Sequence, residues 1–288
     1  NHFLQIFKKA TKSNAPSMRC SPLQTLDNGL ASRSILNTME SKYDYIIIGA
    51  GSSGCVVAGR LGEAGYKVLL LEAGGKDNSP WIKIPLGYSK LYNNPKVNWC
   101  YTSEPEPELN NRPLFQPRGK VLGGSGSING MIYMRGQAQD FDAWEAQGCV
   151  GWGWEEVLPY FKKSENQQRG ASEFHGVGGP LEVSDLPSNH ALGEAFHSAS
   201  AALGSPRNHD FNGADQVGTG YVQINTKKQR RWSTASGFLT GPAMQNITVQ
   251  LGAMVENIIL HNGVATGVRW GNKSGKHESF VTQEVIVC

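Results

Sequence analysis

Residues 42–74, KYDYIIIGAGSSGCVVAGRLGEAGYKVLLLEAG, decide the fold. Tyr45–Ile48 is a short apolar run rich in β-branched residues, the pattern of a buried strand. Gly49, Gly51 and Gly54 then supply G-x-G-x-x-G. Val56–Ala64 suits a helix, Gly65 ends it, and Lys67–Leu71 reads as a second buried strand closed by Glu72. Each part has a physical task. Gly49 permits the tight turn out of the strand. Gly51 has no Cβ, so a pyrophosphate can approach the backbone, and Gly54 lets the helix lie close to the sheet. The free N–H groups and positive dipole end of that helix face the phosphates. An acid about 20 residues after the glycines accepts hydrogen bonds from ribose hydroxyls and repels a 2′-phosphate. The stretch predicts a doubly wound α/β dinucleotide unit, without separating FAD from NAD.

A second glycine cluster bears on that choice. Arg118–Asp142 reads RGKVLGGSGSINGMIYMRGQAQDFD. Gly119–Asn129 is too rich in glycine and serine for a buried regular element, and by itself suits a flexible surface loop. Apolar Val121-Leu122 on one side and Ile128 through Met134 on the other bracket it, however. A small-residue loop between apolar anchors suits close backbone approach to a flat ligand.

With these residues the sequence resembles the glucose–methanol–choline (GMC) flavin oxidoreductases. The family's first signature is matched by Gly123-Gly124, Ser125-Gly126, Ile128-Asn129, Tyr133, Gly136 and Asp142. Further matches are Asn98-Trp99, the stretch from Gly151-Trp152-Gly153-Trp154 to Pro159-Tyr160-Phe161, and His175-Gly176 with Gly179-Pro180-Leu181. Asp210-Phe211-Asn212-Gly213 and Arg231-Trp232-Ser233-Thr234-Ala235 complete the set. The resemblance runs from about Tyr43 to Cys288 and is nearest the choline dehydrogenase and aliphatic alcohol dehydrogenase branch. It implies a doubly wound FAD/NAD(P)-binding fold with an interleaved α+β substrate domain. It also implies FAD as cofactor, with Gly49, Ala50, Gly51, Ser52 and Gly54 around the pyrophosphate and Glu72 on the ribose. Asn98 and Trp99 would cover the flavin. Val121, Gly123, Gly124 and Ser125 would line the phosphate and the ring edge. Asn129, Gly130, Met131 and Ile132 would lie beside the reactive N5 and C4a, and the Val255 backbone would recognise adenine. Some family members link the flavin covalently through a histidine directly before the signature asparagine. Ile128 stands there in this chain, so noncovalent FAD is expected.

Composition narrows the partners. A net charge of +3 over 288 residues calls for no nucleic acid. The local run Lys227-Lys228-Gln229-Arg230-Arg231 reads as a solvated loop. The longest apolar runs are strand-sized, so no integral membrane segment is expected, although peripheral association remains open. Cys20, Cys55, Cys100, Cys149 and Cys288 are scattered without C-x-x-C, which points away from a metal site and toward reduced thiols inside a cell, in cytoplasm, mitochondrion or plastid.

Residues 1–38 are basic and rich in Ser, Thr and Asn, and read as a leader or a non-native extension. Residues 39–183 and 246–288 are expected to form a discontinuous FAD-binding domain, and 184–245 part of a substrate-binding domain. Asp140–Glu165 is expected to be largely helical with Trp144, Val157, Leu158 and Phe161 toward the core. Ala191–Leu203 is expected to bury a face of Leu192, Ala195, Phe196 and Ala199. Thr248–Leu251, Met254–Leu260, Val264–Arg269, Glu278–Val281 and Glu284–Val287 read as short strands of a meander.

The implied reaction is oxidation of a primary alcohol, choline-like or aliphatic, to an aldehyde. It requires removal of the hydroxyl proton, a hydride passed to flavin N5, and an electron acceptor other than NAD: a quinone, a dye-like carrier or oxygen. A positioned base is needed. In the family a histidine near the C-terminus serves, and no histidine here occupies a matching motif. The base is expected beyond Cys288, and the chain as it stands is expected to be inactive toward alcohols. His175, His209 and His261 have structural contexts, and His190 and His197 read as ordinary helix residues. Trp81, Tyr88, Tyr92 and Tyr101 could contribute rings to a cage for a quaternary ammonium. Alternatives are a nicotinamide dehydrogenase, which leaves Gly119–Asp142 unexplained, a non-catalytic flavin-fold remnant, and a flavin photoenzyme of the same family acting on fatty acids.

Overall fold

The computed structural model describes residues 42–288, so the expectation for 1–38 lies outside the described residues. Strand β1 (Tyr43–Ile48) leads through the glycine turn into helix α1 (Ser52–Glu63) and then strand β2 (Val68–Glu72). β1 and β2 pair in parallel, with Ile46 opposite Leu69 and Ile48 opposite Leu71. Every residue of β2 is buried, as befits a parallel strand covered on both faces. Four further strands of this sheet arrive late in the chain. β3 (Ile247–Leu251) lies parallel beside β2, and β4 (Met254–His261), β5 (Val264–Asn272) and β6 (Gly275–Val287) form an antiparallel meander. The sheet order is β3-β2-β1-β6-β5-β4.

β6 differs from the sequence expectation of two short strands. It is one strand of 13 residues that changes partner midway. Gly275–Phe280 pairs antiparallel with β5, whereas Val281–Val287 pairs parallel with β1. The β1 register shifts opposite Thr282-Gln283, where side chains bridge instead: Thr282 Oγ1 donates to Asp44 Oδ1 and the Tyr45 hydroxyl to Gln283 Oε1.

Side-chain alternation divides the core into two faces. Ile47, Val68 and Leu70 pack with Ala50, Cys55 and Ala58, and with Ala235, Ala243 and Ile247. Ile46, Leu69 and Leu71 face the other way, against Ala253, Val268 and Trp270. Full burial of each such Ile or Leu is worth roughly 1.5–3 kcal/mol, so the two faces together fix the β1–β2 register that places the turn.

Two helical expectations are corrected. Asp140–Glu165 is largely helical, as expected, in two pieces: α2 (Ala138–Ala146) and α3 (Trp154–Ser164), parted by a turn in which Gly148 and Gly151 have φ of 102° and 86°. Its core face is the part corrected. Phe141 takes the buried position, with Trp154 and Phe161 around it, and Trp144 lies outside at 47 % exposure. Helix α4 (Ala191–Ala202) presents Leu192 and Phe196 to solvent, not to the core. Its inward ridge is Gly193 and His197, one turn apart, because a Cβ at Gly193 would overlap the Tyr221 hydroxyl and the His197 ring stacks edge-on to Tyr221 at 4.8 Å.

The segments between the two halves of the sheet are tied by a buried ionic network. Arg135 Nη2 lies 2.8 Å from Glu165 Oε2, both side chains being essentially inaccessible. His175 contacts Glu165 through Nδ1 at 3.1 Å and Asp210 through Nε2 at 2.8 Å. Gly176 N–H also donates to Glu165, and Arg135 N–H to the Asn212 side chain. The Asp210 and Glu165 carboxylates push the His175 imidazole up to about 9, and His175 in turn holds Asp210 below the usual carboxylate range.

A histidine whose folded pKa is raised contributes stability that is complete below its unfolded value of about 6.5. That contribution is lost as pH rises through about 9. The depressed Asp210 adds stability present above about pH 4 and lost on acidification. The thermal unfolding midpoint is therefore expected to decline between about pH 6.5 and 9. His175→Gln should lower the midpoint at pH 6, for a cost of about 1–3 kcal/mol, and flatten that decline. A wild-type midpoint level across this range would count against the network's charge state.

Candidate cofactor site

The site begins at the turn between β1 and α1. Gly49 has φ of 95° and donates its N–H to the Leu71 carbonyl, which ties the turn to the end of β2. A Cβ at Gly54 would overlap the Gly49 carbonyl oxygen, so only glycine lets the helix start this close to the strand. The α1 N-terminus has no side-chain cap and no acid in its first turn. Its leading N–H groups and positive dipole end suit an anion. Ser52 and Ser53 are exposed there, and a Cβ at Gly51 would meet nothing within 4 Å.

The second glycine cluster docks on the first. Gly123 N–H donates to the Ala50 carbonyl at 2.8 Å, and a Cβ at Gly124 would stand 2.7 Å from the Gly51 Cα. Gly123 and Gly124 have φ of 87° and 56°, and a short 3-10 turn, Gly124–Ser127, follows. The apolar brackets act as anchors: Val121 and Ile128 are buried with Ile82, Leu91 and Val97. Ser127 Oγ donates to the Leu122 carbonyl, and Ser125 Oγ accepts from Gly119 N–H. The loop is thus braced internally while Ser125 and Asn129 stay exposed.

Glu72 closes β2 almost fully buried. Its Oε2 accepts from Ala50 N–H at 2.9 Å and its Oε1 from Gly74 N–H at 2.8 Å. Burial raises its pKa, while these two N–H groups and nearby Lys120 pull it back. Sequence reasoning gave this acid only a ribose to hold. In the structure it is a strut between the first glycine turn and the residues after β2, with a second lone pair on each oxygen. β3 runs past the same place: Gly252 N–H donates to the Gly74 carbonyl and Ala253 N–H to the Glu72 carbonyl. Val255 follows two residues later in β4, half-buried and opposite Trp270.

Asn98 is buried and spends its carboxamide inside its own loop. Oδ1 accepts from Cys100 and Arg118 N–H, each at 2.9 Å, and Nδ2 donates to the Tyr92 carbonyl. Asn98 thereby braces the loop that carries the half-buried Trp99. Lys120 Nζ lies 4.4 Å over the Trp99 ring, which stacks on Tyr101. The Asn129–Ile132 segment contains Met131 with φ of 65°, rare for a residue with a side chain. Asn129 Oδ1 accepts from Met131 N–H at 3.0 Å, the Met131 carbonyl accepts from Asn225 N–H at 2.9 Å, and Ile132 pairs with Ile224. A Cβ at Gly130 would meet nothing within 4 Å.

Arg231 was missed as a contributor. The run Lys227–Arg231 is a tight hairpin, with Thr226-Lys227 against Arg230-Arg231 and Lys228 and Gln229 left-handed at the tip; Lys227 through Arg230 are exposed as expected, and Arg231 is not. Period-two alternation sends Arg231 inward, where it is 2 % exposed and donates to the Ile82, Gly126 and Asn129 carbonyls. Its place at the head of the Arg231-Trp232-Ser233 stretch was the available signal. Among the histidines, His175 belongs to the ionic network and His190 caps α4. Among the described residues, no helix is long and apolar enough to cross a membrane.

This combination of a β-α-β glycine turn, an acid ending β2 and a second glycine turn docked on the first defines a dinucleotide site of flavoprotein type. A family model described as GMC oxidoreductase matches residues 43–288, and the chain belongs to that family. It is 46 % identical over 247 residues to an oxygen-dependent choline dehydrogenase of Sinorhizobium fredii, covering 85 % of this chain and 45 % of that protein. It is 43 % identical over 245 residues to an alcohol dehydrogenase [acceptor] of Pseudomonas putida, covering 84 % and 44 %. The crystal structure of pyridoxine 4-oxidase from Mesorbium loti superimposes with a TM-score of 0.81 at 32 % identity, over 86 % of this chain and 49 % of that one. The chain spans about half the length of the curated relatives it matches. The cofactor of this family is FAD, and the open space at Gly51 and Gly130 and the uncapped α1 N-terminus fit it.

Gly124→Ala tests the docking of the two turns. Left-handed strain of about 1–3 kcal/mol adds to the collision with the Gly51 Cα. FAD binding, followed by quenching of flavin fluorescence on titration, is expected to weaken by at least about tenfold. An unchanged dissociation constant would remove the close contact from the account.

Proposed function

We propose that this chain forms the cofactor-holding part of a FAD-dependent oxidoreductase that oxidises a primary alcohol, choline-like or aliphatic, to its aldehyde. The observation that carries the reading is the docking of Gly123-Gly124 on Ala50-Gly51 in front of an uncapped helix N-terminus. Similarity to choline and alcohol dehydrogenases supports the substrate class. Bound FAD would supply a two-electron acceptor for hydride from the alcohol carbon.

The residues of the chain then have distinct tasks. The first N–H groups of α1 offset the diphosphate charge, and Glu72 orients the ribose with the lone pairs that Ala50 and Gly74 leave free. Trp99, held by the Asn98 brace, covers the site and keeps water out. Asn129–Ile132 forms the wall beside the ring. No residue of the chain is assigned as the base. Residues 39–183 with 246–288 act as the FAD-binding part and 184–245 as part of the substrate-binding part, with electrons passing to an acceptor such as a quinone or oxygen.

Noncovalent attachment follows from Ile128, a buried hydrocarbon side chain at the position where a linking histidine would have to stand. Acid precipitation of the flavin-loaded protein is expected to release all yellow chromophore to the supernatant. Colour retained in a washed, denatured pellet would refute this.

Glu72→Ala is expected to weaken FAD binding by the loss of charge-assisted bonds worth about 1.5–3 kcal/mol, roughly tenfold to a hundredfold in the dissociation constant. Equal affinity in wild type and variant would displace Glu72 from the ribose. The reaction class is tested on the full-length protein by a panel of choline and aliphatic alcohols, with an artificial acceptor compared against oxygen. Dye reduction by the full-length protein with none of these alcohols would contradict the reading.

A further inference from the structure

We propose that Arg231 is the positioning residue of the wall beside the flavin ring, a role that rests on the FAD reading above. Its guanidinium is buried and reaches three separate segments. Nε donates to the Ile82 carbonyl at 2.9 Å, in the short helix Pro80–Lys83. Nη1 donates to the Gly126 carbonyl at 3.1 Å and to Asn129 Oδ1 at 2.7 Å. Nη2 donates to the Asn129 carbonyl at 2.7 Å. Asn129 is therefore gripped through side chain and backbone at once, which a planar fork can do and a lysine ammonium cannot reproduce.

The grip has a consequence one residue pair along. The Asn129 oxygen that accepts from Arg231 also accepts from Met131 N–H, and Met131 is left-handed with φ of 65°. A buried side chain in that conformation persists only where its surroundings over-determine it. The relay from Arg231 through Asn129 to Met131 N–H supplies one restraint, and Asn225 on the Met131 carbonyl supplies the other. Between them lies Gly130, with open space before it. The relay thus sets the backbone at the point where the ring would lie.

The charge is also unusual. All four acceptors of Arg231 are neutral, and among the described residues no carboxylate is within ion-pair distance of it. Burial lowers its pKa to about 10, so it stays protonated at neutral pH. A fixed positive charge without a counter-ion favours added negative charge nearby, so it should raise the reduction potential of a flavin held against this wall. Position and charge can therefore be read separately.

The test compares the flavin-loaded wild type with Arg231→Lys and Arg231→Met. Both variants are expected to alter the visible circular dichroism of bound FAD and to weaken FAD binding by at least about tenfold, the loss of one charge-assisted hydrogen bond. Only Arg231→Met is expected to lower the flavin reduction potential, because Arg231→Lys keeps the charge. If Arg231→Met fails to fold, Arg231→Lys decides the positional claim by its dichroism and affinity. Wild-type-like dichroism and affinity in Arg231→Lys would overturn the proposal. A wild type that binds no FAD would instead overturn the flavin reading on which it rests.

Discussion

Two stretches of backbone without side chains touch at one point, and the site is organised around that contact. Gly124 lies against the Gly51 Cα while Gly123 N–H bonds the Ala50 carbonyl. The contact needs glycine at position 124 and needs each turn held rigidly. The parallel β1–β2 ladder and the Gly49–Leu71 hydrogen bond hold one turn, and buried Val121 and Ile128 hold the other. Glu72 then fastens the first turn to the end of β2. Loss of any of these supports would part the two turns.

Electrostatics run in one direction at this contact. α1 begins without a cap or an early acid, Lys120 sits over Trp99, and Arg231 lies buried without a counter-ion. The single acid, Glu72, is drawn into backbone hydrogen bonds that favour its charged form against the cost of burial. Such a cradle suits a ligand carrying a diphosphate and a ribose. The ionic network around Glu165 is of a different kind, because its two cations and two carboxylates answer each other and serve to join segments.

Much of this was legible in the chain because it is written locally. The β-α-β unit needs only an apolar run, three glycines and an acid at fixed spacing, and backbone geometry turns that spacing into position. The apolar brackets of the second glycine cluster were likewise visible as anchors. What escaped depends on distant partners. The outward turn of Leu192 and Phe196 follows from the fit of Gly193 and His197 on Tyr221, which no helical periodicity reports. The unbroken β6 follows from a change of strand partner at Phe280–Val281. Arg231 looked like part of a charged loop because its acceptors, Ile82 and Asn129, lie far off in sequence.

The central claim is that the two glycine turns form one cofactor site. Hydrogen–deuterium exchange of the protein with and without FAD tests it most directly. The account predicts that FAD slows exchange together in peptides covering Gly49–Gly54 and in those covering Gly119–Met131, with matching dependence on FAD concentration, and that NADP does neither. Protection confined to the first turn, or produced equally by NADP, would contradict it.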